Sequence, residues 1–458
     1  MTSHDDDLLL QLLCCPRCGG ELAFGDELIC SDCRAQYPRV GGLPCLFPEP
    51  EAALGEWRTR LSSVVAELES QASRYRAAIT DDVTRATTRS RLKLLGGAYS
   101  DHARRLKALL SPLGVSEAGA AVETYRALSG TELPGSQGLI GYYANLHRDW
   151  CWGEAENEAA FDIVDAALGS NEPGRMLVLG AGAGRLAYKL RRRRKPEILV
   201  AADINPLMLL VAAKMIAGES LELYEFPVAP RDLDSHAILR TLQAPEPVEN
   251  GLQLILADVS RGPFAPGGFD TIVTPWLVDI LAEDFSTFAR RINTWLKPDG
   301  RWVNSGSLVF QHADAKRCYS TEEVRELIGE AGFKSANLQE DRQPYLQSPA
   351  SRHGRIESVV TWSVRKEQEA VMPDTGTVIP KWIENPDLPV PLLPEFSSRV
   401  LAMRVYAYVA SLIDGQRSLQ DIAKVLVEER LMTPEEAAPA VRGFLLRLHE
   451  ESLSPGSC

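Results

Sequence analysis

Three glycines at alternate positions, Gly180, Gly182 and Gly184, most strongly constrain the fold of this 458-residue chain. They follow the short apolar run 176–179, which suits a buried parallel strand, and they precede residues 185–190, which have a helical pattern. Glycines in such a turn let the backbone approach a ligand closely, and the helix that follows points amide groups at it. The pattern therefore predicts a ligand-binding turn at the edge of an α/β sheet.

Acidic residues at the ends of the next predicted strands add to this, because glycines alone also serve ordinary tight turns. Asp203 ends the strand pattern "EILVAADIN", where a carboxylate accepts hydrogen bonds from a ribose diol. Asp258 ends "LQLILADVS", where we expect it to meet an adenine edge. The patterns "FDTIVTPWLVD" and "GRWVNSGSLVFQ" continue the alternation of strands and helices. The sequence thus predicts an open sheet with a nucleoside site at the carboxyl ends of its strands.

Both NAD and S-adenosylmethionine fit a glycine loop followed by a ribose-binding carboxylate. The turn "GAGAG" lacks the third-glycine spacing of G-x-G-x-x-G that serves a pyrophosphate, and a second acidic strand end is typical of methyltransferases. We therefore expect an α/β fold with a class I (Rossmann-like) methyltransferase sheet that binds S-adenosylmethionine. The expected cofactor-binding residues are Arg148, Gly180, Ala181, Gly182, Gly184, Asp203, Ile204, Asn205, Asp258, Val259 and Thr274.

Longer segments resemble the carnosine N-methyltransferase family over residues 142–365. The matching pieces include "HRDWCWGEAENE", "ADINPLMLLVAAKMI" and "INTWLKPDGRWVNSGSLVFQH", and the methyltransferase halves of ovothiol synthases look similar in the same places. The resemblance implies N-methylation of an imidazole ring nitrogen in a histidine-derived small molecule, of the carnosine-like dipeptide or thiohistidine type. Such a transfer depends mainly on positioning a neutral imidazole.

The same resemblance implies a substrate site. Asp279 occupies the position of the family's substrate-binding aspartate, where a carboxylate would fix the imidazole tautomer and stabilise the imidazolium that develops. The family's histidine position reads Gln311 here, with His312 next to it, and in a strand a shift of one residue would turn the side chain to the other face. With Trp276 and Asn304 these residues form the predicted substrate site, in which Asp279 and His312 are catalytic.

Each of these assignments has a simpler structural alternative. Asp279 can cap a following helix, His312 can be an ordinary loop residue, and residues 148–150 can clamp the preceding helices to the sheet. The family's late tyrosines are also not matched in "GRIESVVTWSV". These departures bear on the identity of the substrate more than on the type of reaction.

Four cysteines near the N-terminus have the spacing of a metal site. Cys15 and Cys18 lie in "CPRC", and Cys30 and Cys33 follow in "CSDC" after eleven intervening residues. Two such turns present four thiolates to one ion, so the pattern predicts a structural Zn²⁺ in a closed tetrahedral site. A redox pair or four unrelated thiols are the alternatives. With the closing "YPRVGGLPCLF", the segment resembles the zinc ribbons that include the activating subunit of tRNA methyltransferases, which implies an adaptor or stabilising role.

Charge and hydropathy bear on partners and location. The formal net charge of −13 counts against nucleic acid as a partner, and "RRRRK" at 191–195 is expected to be a solvated face. No run of 18 apolar residues occurs, and the N-terminus has no basic region or cleavage site typical of a signal peptide. We expect a cytoplasmic protein that acts on a small molecule and does not enter a membrane, with its oligomeric state left open.

Composition and breakers predict five segments. They are a zinc ribbon (1–50), a helical lead-in or cap (51–140), the methyltransferase domain (141–368), a proline-rich linker (369–396) and a small helical domain (397–458). The phrase "IDGQRSLQDIAKVL" in the last segment resembles PqqD-like winged-helix domains, which hold leader peptides. This leaves two alternatives open: methylation of a histidine in a ribosomal peptide held by the C-terminal domain, and a non-catalytic adaptor that only binds cofactor.

Overall fold

The structure is a computed structural model that describes residues 4–25, 27–80, 85–115, 139–281, 283–312, 315–334, 336–372, 389, 404 and 407–453. The chain divides into two compact units, residues 1–373 and 374–458. The first contains the predicted ribbon, the helical lead-in and the α/β sheet.

Eleven helices have defined bounds in the described residues. They are α1 (His4–Leu12), α2 (Pro50–Ala77), α3 (Ala86–Leu109), α4 (Leu139–His147), α5 (Glu154–Leu168), α6 (Arg185–Arg194), α7 (Pro206–Ile216), α8 (Phe285–Trp295), α9 (Thr321–Glu330), α10 (Leu419–Glu428) and α11 (Pro434–Leu453). The strands are β1 (Leu22–Phe24), β2 (Leu28–Cys30), β3 (Gln36–Tyr37), β4 (Arg39–Val40), β5 (Leu43–Leu46), β6 (Arg175–Leu179), β7 (Ile198–Asp203), β8 (Ser220–Glu225), β9 (Ile238–Gln243), β10 (Leu252–Ala257), β11 (Phe269–Pro275), β12 (Leu296–Gly306), β13 (Gln339–Tyr345) and β14 (Arg355–Arg365).

A nine-stranded sheet forms the core of the first unit, in the order β13-β14-β12-β11-β6-β7-β10-β5-β4. The strands from β12 to β5 run parallel, and β14 is antiparallel to both β12 and β13. β6 and β7 are almost continuous apolar runs because helices cover both faces of the sheet. The order reverses beside β6, so the glycine loop lies at a topological switch point, where open sheets bind ligands. This confirms the predicted α/β methyltransferase fold.

The N-terminal segment joins this sheet. β1, β2 and β3 form a small antiparallel sheet around the cysteines, and β5 then pairs in parallel with β10 through Cys45↔Leu256 and Leu46↔Ala257. β5 is buried along its whole length. The ribbon segment therefore supplies a strand to the main sheet, which composition alone did not indicate.

Two further elements flank the sheet. α2 and α3 pack on each other as a long helical pair within the segment 51–140, of which residues 116–138 lie outside the described residues. The insertion after α7 is the hairpin β8–β9. Among the described residues there is no helix long and apolar enough to cross a membrane.

The second unit is helical where it is described. Residues 407–411, α10 and α11 enclose a small apolar core that includes Val409, Leu426 and Val441. α10 begins with a capping box between Ser418 and Asp421, as the sequence predicts. Most of the predicted proline-rich linker lies outside the described residues.

Candidate active site

The glycine loop after β6 is folded tightly against the end of β7. Gly180 and Ala181 both donate backbone hydrogen bonds to the carbonyl oxygen of Ala202, at 2.9 and 3.0 Å. All three glycines have positive φ, which disfavours any residue with a side chain. A Cβ on Gly182 would meet only the Met208 side chain, at 3.9 Å. The backbone at Gly182 therefore stays open to a ligand.

Asp203 connects this loop to the next helix. One carboxylate oxygen accepts a hydrogen bond of 2.7 Å from the Gly182 N–H, and the other accepts one of 2.8 Å from the Asn205 N–H. Burial raises the pKa of this carboxyl, and the surrounding backbone N–H groups oppose that effect. A carboxylate has about four lone-pair sites, so Asp203 retains capacity to accept hydrogen bonds from ligand hydroxyls.

Asp258 and Asn205 begin the elements after β10 and β7. The Asn205 side chain caps α7 by accepting from the backbone N–H groups of residues 207 and 208. Asp258 accepts from the backbone N–H and the hydroxyl of Ser260, at 2.9 and 2.6 Å. Both residues line the same cavity as Asp203. The two acidic strand ends thus lie at one edge of the sheet.

The Arg148–Trp152 segment forms one wide helical turn between α4 and α5. Trp150 donates a hydrogen bond of 2.8 Å from its indole nitrogen to the Ala183 carbonyl oxygen in the glycine loop. Arg148 forms a buried ion pair of 2.7 Å with Asp149. Burial raises the pKa of Asp149, and the Arg148 guanidinium acts against that rise. This segment both clamps the loop and brings a guanidinium to the cavity.

An aromatic pair forms another wall of the cavity. The rings of Trp276 and Tyr345 lie 5.1 Å apart, and the guanidinium groups of Arg148 and Arg355 lie 4.9 and 5.0 Å from the Tyr345 ring centroid. The Tyr345 hydroxyl donates to the Asn145 side-chain oxygen at 3.0 Å. Trp276 has a φ of 51°, in the left-handed region, and its N–H donates to the Ser305 carbonyl oxygen. Flat aromatic faces therefore lie close to the glycine loop.

The structure brings most of the predicted cofactor residues to one cavity. Those that line it are Arg148, Gly180, Ala181, Gly182, Asp203, Ile204, Asn205, Asp258 and Val259. Gly184 is instead the N-cap of α6, and a Cβ at this position would lie 3.0 Å from the Cβ of Ala212 on α7.

Thr274 and Asn304 lie inside the sheet. They are register partners on β11 and β12, both fully buried, and the Thr274 hydroxyl donates to the Asn304 side-chain oxygen at 2.9 Å. Their strand neighbours Pro275 and Ser305 line the cavity instead. Alternation along a strand explains the difference, because adjacent side chains point to opposite faces.

Among the predicted substrate residues, Trp276 lines the cavity, whereas Asp279 does not, although Leu277 and Ile280 on either side of it do. Asp279 accepts hydrogen bonds from the Ser307 hydroxyl at 2.6 Å and the Val309 N–H at 2.9 Å. Its other oxygen, Oδ1, is buried and has no hydrogen-bond partner within the described part of the chain. Ile280, the next residue, lines the cavity.

Gln311 and His312 require a correction to the expected geometry. β12 ends at Gly306, so both residues lie in an exposed loop and not in a strand. The His312 ring nitrogen Nε2 lies 3.3 Å from Arg317. The argument from strand faces therefore does not apply to them, and neither lines the cavity in this structure.

Several cavity residues were missed at the sequence level. Gln343 and Tyr345 come from β13, Asn145 from α4 and Glu156 from α5, and Trp57 and Arg60 come from α2. Glu156 accepts hydrogen bonds from the backbone N–H groups of residues 346 and 347, both at 2.9 Å. No local motif identifies them, since they meet only through tertiary packing.

The four predicted metal ligands lie together. All four sulfur atoms are within 4.8 Å of one another, with Cys15 to Cys33 at 3.6 Å and Cys18 to Cys30 at 3.5 Å. A Zn–S distance of about 2.3 Å in a tetrahedral site requires sulfurs roughly 3.8 Å apart. The Tyr37 hydroxyl lies 2.9 Å from the Cys15 sulfur. The donor set and spacing thus fit Zn²⁺ without further protein ligands.

The arginine run at the end of α6 is occupied by contacts within the chain. Arg191 donates to the backbone carbonyl oxygens of Asn250 and Pro196, while Arg192, Arg193 and Arg194 pair with Glu246, Glu158 and Asp165. These contacts partly neutralise the run, in keeping with a solvated face.

Residues 142–368 match the family model described as carnosine N-methyltransferase. The carnosine N-methyltransferase of Dictyostelium discoideum is 25% identical over 219 residues, which cover 41% of this chain and 46% of that protein. The chain therefore spans about half the length of the curated relative that it matches.

Solved structures show weaker similarity over about half of the chain. Phosphoethanolamine N-methyltransferase 2 of Haemonchus contortus, in complex with S-adenosyl-L-methionine, is 14% identical with a TM-score of 0.33, covering 50% of this chain and 57% of that one. The N-methyltransferase NodS of Bradyrhizobium japonicum is 15% identical with a TM-score of 0.32, covering 46% and 97%. By its strand order and the matched family model, the segment 142–368 is an S-adenosylmethionine-dependent methyltransferase domain of the carnosine N-methyltransferase-like family.

Proposed function

We propose that this chain transfers a methyl group from S-adenosylmethionine to an imidazole ring nitrogen of a histidine-derived small molecule. The observation that carries the proposal is one cavity at the carboxyl edge of the sheet. It joins the open glycine loop, the carboxylates of Asp203 and Asp258, and the Trp276–Tyr345 wall. Open α/β sheets bind their ligands at this edge.

The cofactor half of the cavity has the chemistry for a nucleoside with an amino-acid end. Asp203 would accept the ribose hydroxyls, Asp258 would meet the adenine edge, and Gly182 would let the ligand lie against the backbone. Arg148 would hold a carboxylate, since its guanidinium lines the cavity beside the glycine loop. S-adenosylmethionine would supply an electrophilic methyl group on a sulfonium.

The protein's part in the chemistry is to place and hold the acceptor. The acceptor nitrogen must be the unprotonated ring nitrogen, which forms a bond to the methyl carbon as the carbon–sulfur bond breaks. The ring becomes an imidazolium and then loses its other N–H proton to solvent. The Trp276 and Tyr345 rings would exclude water and hold a flat heterocycle.

Asp279 is the proposed partner of the other ring nitrogen. A buried carboxylate oxygen without a donor is costly, and its Oδ1 has none among the described residues. An imidazole N–H would satisfy this oxygen, fix the reactive tautomer and be stabilised as positive charge develops. Trp276 is proposed to contact the substrate, whereas the roles proposed for Asn304, Gln311 and His312 require a rearranged loop or an indirect contact.

We further propose that the four cysteines hold a structural Zn²⁺. The ribbon of about 50 residues has little core of its own, so a metal would supply folding free energy. β5 would then be presented in a fixed register to β10. We propose that the zinc ribbon, the helical lead-in, the methyltransferase domain and the linker end at residues 50, 140, 368 and 396.

The test of the proposed reaction uses methyl-labelled S-adenosylmethionine with a lysate fraction of small molecules and a fraction of peptides. Label on histidine, a thiolated histidine or a histidine dipeptide supports the proposal, and mass spectrometry of the product locates the methyl group on a ring nitrogen. Label confined to peptides favours instead a peptide substrate held by the C-terminal domain. Cofactor binding without transfer to any fraction favours the adaptor.

A further inference from the structure

Helix α2 contributes a side chain to the cavity although it precedes the family-matched residues. Trp57 lines the cavity and is only 5% exposed. Its indole nitrogen Nε1 is buried and has no hydrogen-bond partner in the described segments of the chain. A buried N–H without an acceptor costs free energy that an acceptor atom on a ligand would recover.

Arg60 lies one helical turn further on and lines the same cavity. Its guanidinium is 5.8 Å from the Trp57 ring centroid and forms an ion pair of 2.7 Å with Glu56. Both side chains of that pair are less than one-fifth exposed. A guanidinium has five N–H donors, more than one carboxylate accepts, so Arg60 has the chemistry to bridge Glu56 and a second anionic group.

Arg148 and Arg185 also line the cavity, and like Arg60 each has a carboxylate partner, Asp149 and Glu154 respectively. Trp57 and Arg60 place a neutral donor and a cation together on a wall that the methyltransferase domain does not itself provide. That combination recognises a carboxylate, because the guanidinium supplies charge and the indole N–H fixes direction.

We propose that Trp57 and Arg60 form a carboxylate-binding subsite contributed by the helical lead-in. This inference rests on the proposed function, because the two molecules of the reaction are the sources of such a group. The cofactor has a carboxylate on its amino-acid end, and a histidine-type acceptor has one on its backbone. Either way, α2 takes part in ligand selection as well as in packing.

The test compares ligands that differ by that carboxylate, using calorimetric binding to the full chain. For the cofactor, the pair is S-adenosylhomocysteine and its decarboxylated form S-adenosyl-3-thiopropylamine, which keeps the amine and lacks the carboxylate. For the acceptor, the pair is β-alanylhistidine and β-alanylhistamine, measured with S-adenosylhomocysteine present. Trp57→Phe removes the donor and keeps a ring, while Arg60→Gln removes the charge and keeps a polar group.

Both variants are expected to weaken binding of the carboxylate-bearing member of one pair about tenfold or more and to leave its partner within about twofold. Loss on S-adenosylhomocysteine assigns the subsite to the cofactor, and loss on β-alanylhistidine assigns it to the acceptor. Equal loss for both members of a pair, or no loss in either, overturns the proposal. Equal loss includes a fall in the binding of the decarboxylated compound that matches the fall for S-adenosylhomocysteine.

A matched control and an activity assay keep the interpretations separate. Arg74→Gln changes a half-exposed arginine on the same helix, paired with Glu67, and should leave all four affinities unchanged. If the unaltered chain binds S-adenosylhomocysteine but methylates neither β-alanylhistidine nor β-alanylhistamine, the proposed function fails. The comparison of S-adenosylhomocysteine with the cofactor ligand that lacks the carboxylate still tests the subsite. If the unaltered chain transfers methyl groups but the variants weaken both members of a pair equally or neither, only the subsite proposal fails.

Discussion

The indole nitrogen of Trp150 donates a hydrogen bond of 2.8 Å to the carbonyl oxygen of Ala183, which fixes the Arg148–Trp152 turn to the glycine loop. The same indole ring lies 4.9 Å from the Arg185 guanidinium and 5.4 Å from the Tyr188 ring. Arg148 and Gly182 line one cavity, so their relative position depends on this contact. The turn is therefore part of the binding site as well as a packing element.

Trp150→Phe should weaken S-adenosylhomocysteine binding by about three- to tenfold while the domain stays folded. The substitution removes one neutral hydrogen bond, worth about 0.5–1.5 kcal/mol, and keeps most of the apolar contact. Calorimetric binding and thermal unfolding, measured on the same preparation, check this. A lower melting temperature with unchanged affinity would show that Trp150 supports the fold without positioning the loop.

Substitutions at Asp279 and at Ser307 distinguish two roles for Asp279, the alignment of the substrate and the anchoring of the loop. Asp279→Asn should reduce kcat by at least about a hundredfold, since an amide stabilises a developing imidazolium poorly, and leave S-adenosylhomocysteine affinity nearly unchanged. Ser307→Ala removes only the 2.6 Å hydrogen bond to Asp279 and should reduce kcat less than tenfold.

Two other outcomes would assign Asp279 a different role. If Ser307→Ala lowers kcat as much as Asp279→Asn does, the role of Asp279 is to hold the loop at residues 307–309. If Asp279→Asn loses cofactor affinity, its carboxylate belongs to the cofactor site.

The fold and the cofactor side of the cavity were largely predictable from local patterns. The glycine loop, the apolar strand β6 and the acidic residue Asp203 lie within about 30 residues of one another, and short-range geometry fixes their relation. Ser418 as the cap of α10 has the same local origin. Such features need no knowledge of how distant segments pack.

The rest of the site depends on tertiary register. Tyr345 reaches Asn145, and β5 joins β10, across about 200 residues of sequence. Thr274 and Asn304 differ from cavity residues by a single position in their strands, a distinction that is set by the pairing of β11 with β12. A sequence pattern predicts the strand but not which face its final residue presents.

Metal removal should destabilise the main sheet, because the ribbon ends in β5. A chelator, or Cys33→Ser, should release about one Zn²⁺ per chain and lower the melting temperature of the first unit by several degrees, with Cys318→Ser as an exposed thiol control outside the ribbon. Elemental analysis and calorimetry check the two changes together. A metal-free chain with an unchanged melting temperature would show that β5 remains paired without the ion.

Two buried histidines predict acid sensitivity of the first unit. Burial lowers the pKa of His102 to about 3 and that of His147 to about 4, both below the value near 6.5 expected in the unfolded chain. The Nδ1 atoms of both rings lack hydrogen-bond partners among the described residues, and His102 packs edge-on against Tyr143 and Phe226.

The unfolded state therefore binds more protons than the folded state below about pH 6.5, so the free energy of unfolding should fall as the pH decreases toward 4 and stay flat above 7. For His147 the loss is about 2 kcal/mol at pH 5. His102→Phe should reduce this dependence by about half, because a phenyl ring fills the same aromatic cluster and does not titrate, while His147 still does. Urea unfolding at pH 7.5 and pH 5 measures the effect, and an equal pH-dependent loss in the variant and the parent would exclude His102 as a source of it.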